Sequence, residues 1–120
     1  MRTETLDGLI IKINWLNRIL YDEKDIEVRG SLTSKVGRRI WLLSNGWCLG
    51  SATIDYCFQF DAALWKKYRQ RHCVPFDYQH LLNIYHKPCG WRLTNVKRCK
   101  PRRYKHPHGA VIWVKNVVFE

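Results

Sequence analysis

The spacing of apolar residues predicts strands in some parts of this chain and helices in others. Near the N-terminus it changes from the pattern of a strand to the pattern of a helix. The apolar run 9–13 predicts a first strand. Large apolar residues then recur at helical spacing after Asn14, which predicts a short helix capped by Asn14 and ending near Tyr21. Residues 25–29 return to a period of two and predict a second strand.

The next pattern predicts a β-hairpin. Asn45 and Gly46 separate two apolar runs, 39–43 and 47–54, and both residues tolerate the positive φ that a two-residue hairpin turn requires. Gly50 lies inside the return strand, where a glycine indicates a bulge or a close approach of two backbones.

Two helices are predicted in the middle of the chain. Asp61 opens the helical stretch 62–71, and Asp77 caps a second one, 78–85. An aspartate suits both places because its carboxylate accepts hydrogen bonds from the free backbone N–H groups of a first helical turn.

The last third of the chain predicts strands again. Residues 90–99 alternate as a strand, 101–107 predict a basic loop, and 109–118 close the chain with a β-rich run. Strands on both sides of a central helical insertion predict an α+β fold, with a small, mostly antiparallel β-barrel and a short N-terminal helix. The length of 120 residues fits a single domain, residues 1–120.

The formal net charge of +11 is unevenly distributed. Residues 1–27 hold six acidic residues against four Lys and Arg, whereas the remaining 93 residues hold four against 17. Such a surface attracts polyanions through counterion release and long-range steering. Nucleic acid is therefore the leading class of partner. A basic surface that serves solubility alone is the alternative.

Other features of the sequence indicate where in the cell the protein is located and whether it holds a metal or cofactor. There is no run of about 18 apolar residues, and residues 1–5 lack the form of a signal peptide, so we expect a cytoplasmic protein with no membrane partner. The five cysteines are odd in number and include no C-x-x-C pair, which favours single thiols over a disulfide framework or a zinc site. We expect no metal and no cofactor. A metal held by Cys89, Cys99, His106 and His108 is the less favoured alternative.

One segment concentrates ionisable and hydroxyl side chains within a predicted strand. Lys24 beside Glu27 can act as a general acid or base, or can anchor a carbonyl or phosphate, and these two residues are the candidate catalytic pair. Arg29 offers a planar fork to a phosphate or a base edge, and Ser31 and Thr33 add hydroxyl donors. A salt bridge on a solvated strand face is the alternative interpretation.

A second candidate surface, the segment 97–105, interleaves six Lys and Arg residues with Tyr104, and Trp91 and Trp113 lie on the flanking strands. Phosphates pair with cations and bases stack on rings, so this mixture suits nucleic acid. Helical residues 66–71 add a further basic flank, and a merely solvated loop is the alternative. The binding candidates in this region are Trp91, Arg102, Arg103, Tyr104, His106 and His108. A histidine here can donate to phosphate or shuttle a proton in RNA cleavage, although structural hydrogen bonding is the more common role.

Three motifs, in this order, resemble the ASCH domain family, a branch of the PUA-like β-barrels. The first is the helix end and strand 19–29, which continues through 27–33 as the E-x-R-G-S-x-T form of a prokaryotic and phage-like subgroup. The second is Gly90-Trp91-Arg92-Leu93-Thr94-Asn95-Val96. The third is Tyr104-x-His106-Pro107-x-Gly109-Ala110-Val111-Ile112-Trp113.

The resemblance implies a cleft between barrel and helices that holds a nucleotide or a nucleic-acid strand. It also implies RNA or DNA binding. A few members of the family are enzymes instead, one a ribonuclease and another an amidohydrolase that acts on acylated cytidine. The amidohydrolase-like members use the motif lysine, matched by Lys24, a hydroxyl residue three positions later and a glutamate before the second central helix. Glu27 stands at the position of the hydroxyl residue and His72 lies near that of the glutamate, so both depart from the amidohydrolase pattern. The charge and the three motifs together therefore favour nucleic-acid binding, with RNA or another single strand favoured and DNA possible. A metal-independent ribonuclease is the alternative, and the amidohydrolase is less favoured.

Overall fold

The structure is a computed structural model that describes residues 5–120. Six strands and four helices lie within this range. The strands are β1 (Gly8–Ile10), β2 (Ile26–Arg29), β3 (Arg39–Ser44), β4 (Trp47–Gln59), β5 (Cys89–Arg103) and β6 (Trp113–Val114). The helices are α1 (Ile13–Leu20), α2 (Ala62–Lys67), α3 (Arg69–His72) and α4 (Tyr78–Ile84).

One curled sheet contains all six strands in the order β2-β5-β4-β3-β1-β6. Every neighbouring pair is antiparallel except β1 and β3, which run parallel. The long strands β4 and β5 form the back of the sheet, and the short strands lie toward its two edges. The predicted α+β fold with a mostly antiparallel, barrel-like sheet is confirmed.

Separate apolar clusters hold the helices on this sheet. Leu16 of α1 packs in a cluster with Leu42 of β3, and both side chains are fully buried. Trp65 of α2 and Leu81 of α4 pack in a second cluster with Ile26 of β2. Burying each such side chain is worth about 1.5–3 kcal/mol. The clusters place α1 and α4 on either side of a gap, and this gap is the cleft described below.

The first helix begins earlier than the sequence predicts. The strand expected over 9–13 ends at Ile10, and α1 starts at Ile13. Asn14 therefore lies inside the helix, and Lys12 occupies the N-cap position without a capping hydrogen bond from its side chain. A short apolar run fits either type of element, so its pattern could not decide where the strand ends. The predicted end at Tyr21, the C-cap, is confirmed.

The hairpin and its glycine agree with the prediction. Asn45 and Gly46 have φ values of 52° and 84°, and they connect β3 to β4. The register of β4 against β5 shifts between Cys48 and Gly50. A Cβ atom on Gly50 would lie 2.5 Å from the carbonyl oxygen of Lys97, so two backbones do approach closely here.

Both predicted aspartate caps are present. The carboxylate of Asp61 accepts from the backbone N–H of Leu64 at 2.7 Å, and that of Asp77 accepts from the backbone N–H of His80 at 2.8 Å. The helix expected over 62–71 is divided into α2 and α3 at Tyr68, whose φ and ψ of −98° and 19° interrupt the helical geometry.

Two predictions for the C-terminal third are wrong. The expected basic loop 101–107 begins as strand, because β5 continues to Arg103. Pro101 is tolerated there because it falls within an irregularity of the β4–β5 pairing, where no ladder hydrogen bond is required of it. The β-rich run expected over 109–118 contains only the two-residue strand β6. None of the helices within residues 5–120 has the length and hydropathy needed to cross a lipid bilayer.

Candidate functional site

A cleft of about 490 Å³ opens between α1, α4 and the edge strand β2. Side chains alternate along a strand, so Glu27 and Arg29 of β2 lie on the same face and both line the cleft. Lys24, from the turn between α1 and β2, lines it beside them. The structure thus brings together the three residues at the centre of the candidate set.

Lys24 is almost completely buried, with 2% of its surface exposed. Its Nζ donates to the backbone carbonyl of His72, lies 3.6 Å from Oε1 of Glu27 and lies 5.1 Å from the ring centroid of Trp15. Burial lowers the pKa of Lys24, and the Glu27 carboxylate opposes part of that effect. A buried lysine with a lowered pKa beside a carboxylate is typical of sites that bind anions or transfer protons.

Glu27 connects Lys24 to Arg29. Its Oε2 accepts from Nη2 of Arg29 at 2.9 Å, and only 5% of the Glu27 surface is exposed. The same Nη2 donates to the backbone carbonyl of Ile10 at 2.9 Å. The alternative of a salt bridge on a solvated strand face is therefore wrong, since the lysine and the glutamate are both buried. The three side chains together carry a formal charge of +1.

The walls of the cleft are apolar and partly aromatic. Trp15 of α1 and Tyr85, which follows α4, face the polar floor formed by Lys24, Glu27 and Arg29. The other apolar residues of the lining are Ile10, Val28, Val74, Phe76, Leu81, Ile84, Val111 and Ile112. Apolar walls around a few convergent polar groups are typical of pockets for small organic ligands.

Ser31 and Thr33 lie in the loop after β2 and do not line the cleft. Oγ1 of Thr33 accepts from the backbone N–H of Lys35 at 3.2 Å. Trp91 is 2% exposed, donates from Nε1 to the carbonyl of Ser31 at 2.8 Å, and stacks on Trp113 with 5.7 Å between ring centroids. These three predicted binding residues therefore lie outside the cleft, where they bond to or pack against other parts of the barrel.

Tyr104 and His106 form a pair away from the cleft. Tyr104 is buried in a third apolar cluster, and its hydroxyl donates to Nδ1 of His106 at 2.9 Å. Nε2 of His106 then donates to the carbonyl of Ala110 at 3.0 Å, so both ring nitrogens of His106 are engaged. His108 is exposed in the turn that follows. Two other residues of the same motif, Val111 and Ile112, do line the cleft.

Arg102 and Arg103 lie at the exposed C-terminal end of β5, also outside the cleft. The guanidinium of Arg102 lies 4.2 Å from the ring centroid of Phe119, and that of Arg103 lies 5.0 Å from that of Trp47. Both cations face solvent while resting on a ring, which suits a surface contact with a polyanion and not a part in the cleft.

In the sequence, His72 is only a departure from the family pattern, and no local signal predicts its structural role. Its side chain is fully buried and stacks on Trp65 with 3.7 Å between ring centroids. Nδ1 accepts from the backbone N–H of Val74 at 3.0 Å, and Nε2 donates to the carbonyl of Trp65 at 2.9 Å. Burial lowers the pKa of His72 to about 4. The neutral ring thereby fixes the backbone whose carbonyl receives Lys24.

Across residues 5–120, no group of three or more His, Cys, Asp or Glu side chains is placed to hold a metal ion. The less favoured metal set of Cys89, Cys99, His106 and His108 is therefore not assembled, and the five cysteines are free thiols. The ionisable groups that line the cleft are those of Lys24, Glu27 and Arg29 in its floor and the exposed Lys12 at its edge.

No family model and no curated protein matches the chain. Among solved structures, a serine-to-alanine variant of ZmASCH from Zymomonas mobilis superposes with a TM-score of 0.71 at 14% identity, covering 96% of this chain and 90% of that one. The chain has the ASCH fold. A tyrosine-to-phenylalanine variant of ZmASCH gives a TM-score of 0.67 at 17% identity, covering 83% and 76% of the two chains. ZmASCH without a stated substitution gives 0.65 at 17% identity, covering 81% and 72%. The ASCH fold expected from the three motifs is thus confirmed, and the E-x-R-G-S-x-T subgroup stays a prediction.

Proposed function

We propose that this chain is an ASCH-domain protein that binds nucleic acid, with RNA favoured over DNA. The observation that carries the proposal is the cleft, in which Lys24, Glu27 and Arg29 form a buried polar floor below aromatic walls. Aromatic rings such as those of Trp15 and Tyr85 suit the flat face of a base, and carbonyl or phosphate oxygens of a nucleotide suit a cationic floor.

The charge of the chain supports the same proposal. Beyond residue 27, 17 Lys and Arg stand against four acidic residues, so the phosphates of a strand leaving the cleft would meet a basic surface. A single strand is favoured over a duplex because an unpaired base can enter a pocket without the cost of opening a base pair. The proposal also includes a cytoplasmic location, a single domain over residues 1–120 and membership of the prokaryotic and phage-like subgroup.

A titration tests the proposal. Labelled single-stranded RNA and DNA of the same sequence are titrated at two salt concentrations, with wild type, Lys24→Met and Lys87→Met. Lys24→Met removes one of the two cations of the floor, whereas Lys87→Met removes an exposed lysine outside the cleft. We expect wild-type binding that weakens as salt rises, weaker binding by Lys24→Met and unchanged binding by Lys87→Met. Binding that is absent at low salt, or indifferent to salt, would contradict the proposal.

A second candidate function is metal-independent hydrolysis, of RNA or less favourably of a modified nucleoside. One observation favours it, because burial lowers the pKa of Lys24, whose Nζ lies 3.6 Å from the carboxylate of Glu27. RNA is incubated with wild type and with Lys24→Ala in the presence of a chelator. Cleavage by wild type alone supports the activity. Equal cleavage by both proteins indicates a contaminating nuclease, and cleavage by neither leaves a binding protein.

A further inference from the structure

A second groove, of about 950 Å³, runs between the C-terminal end of α1 and the middle of β5. It is distinct from the cleft, since the two linings have no residue in common. Its lining includes Leu20, Tyr21 and Asp22 from the end of α1 and the turn after it, and Lys97, Arg98 and Lys100 from β5.

The topology of the sheet forms this groove. β2 pairs with β5 only along Cys89–Arg92, so the outer edge of β5 carries no neighbouring strand beyond Arg92 in the part of the chain described. Gly50 of β4 lets α1 approach closely, because a Cβ atom there would lie 2.8 Å from the side chain of Leu20. The helix therefore packs closely on the sheet beside the part of β5 that carries no neighbouring strand.

The cations of this groove are not neutralised by the protein. Lys97, Arg98 and Lys100 are exposed, and none of them forms an ion pair with an acidic residue within residues 5–120. Arg71 and Arg92, by contrast, are both paired with Asp25. Asp22 is the acid in the lining, which leaves the groove with a formal charge of +2. Exposed cations without protein partners are the ones that exchange counterions for phosphates.

An aromatic ring lies among these cations. Tyr21 is 61% exposed, and the guanidinium of Arg98 lies 4.7 Å from its ring centroid. The cation holds one side of the ring and so orders it, while most of the residue faces solvent. An ordered, exposed ring beside a row of cations is a platform on which a base can stack.

We infer that this groove is a second contact surface for single-stranded nucleic acid, in which Lys97, Arg98 and Lys100 bind the phosphates and Tyr21 stacks on a base. A duplex keeps its bases stacked on one another and offers no free face to the ring, so a single strand is the fitting occupant. The inference rests on the proposed function and deepens it, because it adds a site to the cleft.

Salt dependence of binding tests the groove. The groove variant is the triple substitution Lys97→Gln, Arg98→Gln and Lys100→Gln. A single-stranded RNA is titrated over a range of salt concentrations with wild type, with this variant and with a charge-matched control. The control, Arg38→Gln, Lys87→Gln and Lys115→Gln, removes the same charge from exposed sites outside both the groove and the cleft.

Each phosphate contact with a single strand contributes about 0.7 to the slope of log K against log salt, so we expect the groove variant to lose about 2 from that slope. We expect the control to keep the slope of wild type. Tyr21→Leu should weaken binding roughly 5- to 100-fold and leave the slope unchanged, since it removes a stacking contact and no charge. Far-UV circular dichroism and thermal melting confirm that each variant folds.

The outcomes separate the two proposals. If wild type binds RNA and the groove variant keeps the full slope, or if the control loses as much slope, the groove is not a contact surface while the proposed function stands. If the groove variant loses slope but Tyr21→Leu binds RNA as tightly as wild type, the stacking role is overturned. The groove is then a surface that attracts polyanions in general, acidic peptides included. If wild type binds no nucleic acid at low salt, the proposed function and this inference both fail.

Discussion

Arg29 of β2 donates a hydrogen bond from Nη2 to the backbone carbonyl of Ile10 in β1, at 2.9 Å. β2 is the first strand of the sheet and β1 the fifth, so three strands lie between the two residues. The bond therefore crosses the opening of the curled sheet and holds its two sides together. Glu27 accepts from the same nitrogen at 2.9 Å and fixes the guanidinium in place. The floor of the cleft and the closure of the barrel thus depend on one side chain.

Replacing Arg29 should destabilise the fold. Arg29→Met leaves the Ile10 carbonyl without this donor, and it leaves the buried Glu27 carboxylate with only Lys24, at 3.6 Å, as an ionic partner. Removing one partner of a buried ion pair costs about 3 kcal/mol of unfolding free energy, which urea denaturation at constant m-value measures. Arg103→Met is the control, because its ion pair with Glu120 is exposed and should cost well under about 1 kcal/mol. Equal losses of unfolding free energy for the two variants would show that the hydrogen bond across the opening stabilises the fold no more than an exposed ion pair does.

Lys24 should make the stability of the protein rise at alkaline pH. Burial lowers its pKa in the folded protein below the ordinary 10.5. Between that lowered pKa and 10.5 the unfolded chain binds more protons at Lys24 than the folded chain does, so this residue's contribution to the unfolding free energy rises with pH. Lys24→Met has no such contribution. We therefore expect wild type to gain stability relative to Lys24→Met as the pH is raised toward 10.5, measured by urea denaturation at several pH values. A difference between the two proteins that does not change with pH would contradict this expectation.

The features predicted correctly from the sequence are those that local chemistry determines. Asn45 and Gly46 make a hairpin because both residues accept positive φ, and Asp61 and Asp77 cap helices because their carboxylates reach backbone N–H groups three residues ahead. Each of these signals is contained within a few residues. The α+β architecture followed from the order of such signals along the chain.

The burial of the site could not be predicted in the same way. Alternation placed Glu27 and Arg29 on one face of β2 but did not show whether that face meets solvent. What buries Lys24 is the carbonyl of His72, 48 residues later in the chain, together with the ring of Trp15. Contacts at such separation are set by the tertiary fold. The motif containing Tyr104 shows the same limit, since its polar residues hydrogen-bond to one another and its apolar residues reach the cleft.

His72 should make the protein less stable below pH 6.5. Burial lowers its pKa from 6.5 to about 4 in the folded protein, and the unfolded chain therefore binds more protons between these two values. The unfolding free energy contributed by His72 is fully present above pH 6.5 and is lost progressively as the pH falls toward about 4, by roughly 3 kcal/mol in all.

Comparison with a variant isolates this contribution from that of the carboxylates, which also titrate at low pH. His72→Gln keeps a side-chain donor for the Trp65 carbonyl and has no titrating ring. We expect it to be less stable than wild type at pH 7.5, because the stacking on Trp65 is lost, and to close part of that gap at pH 4.5. Urea denaturation at the two pH values measures the gap. A gap of the same size at both would show that His72 titrates normally in the folded protein.

Gly50 should tolerate a methyl group less well than Gly90 does. At Gly50 the added Cβ would meet the backbone carbonyl oxygen of Lys97 at 2.5 Å, and the β4–β5 pairing holds that oxygen in place. At Gly90 it would meet Cζ of the half-buried Phe58 at 2.6 Å and Cγ2 of the buried Ile26 at 2.9 Å, and both are side-chain ends, which shift more easily than a backbone oxygen. We expect Gly50→Ala to lower the unfolding free energy by about 3 kcal/mol and Gly90→Ala by about 1 kcal/mol, as measured by urea denaturation. The reverse order would mean that the β4–β5 pairing yields at its bulge more easily than the Phe58 side chain moves.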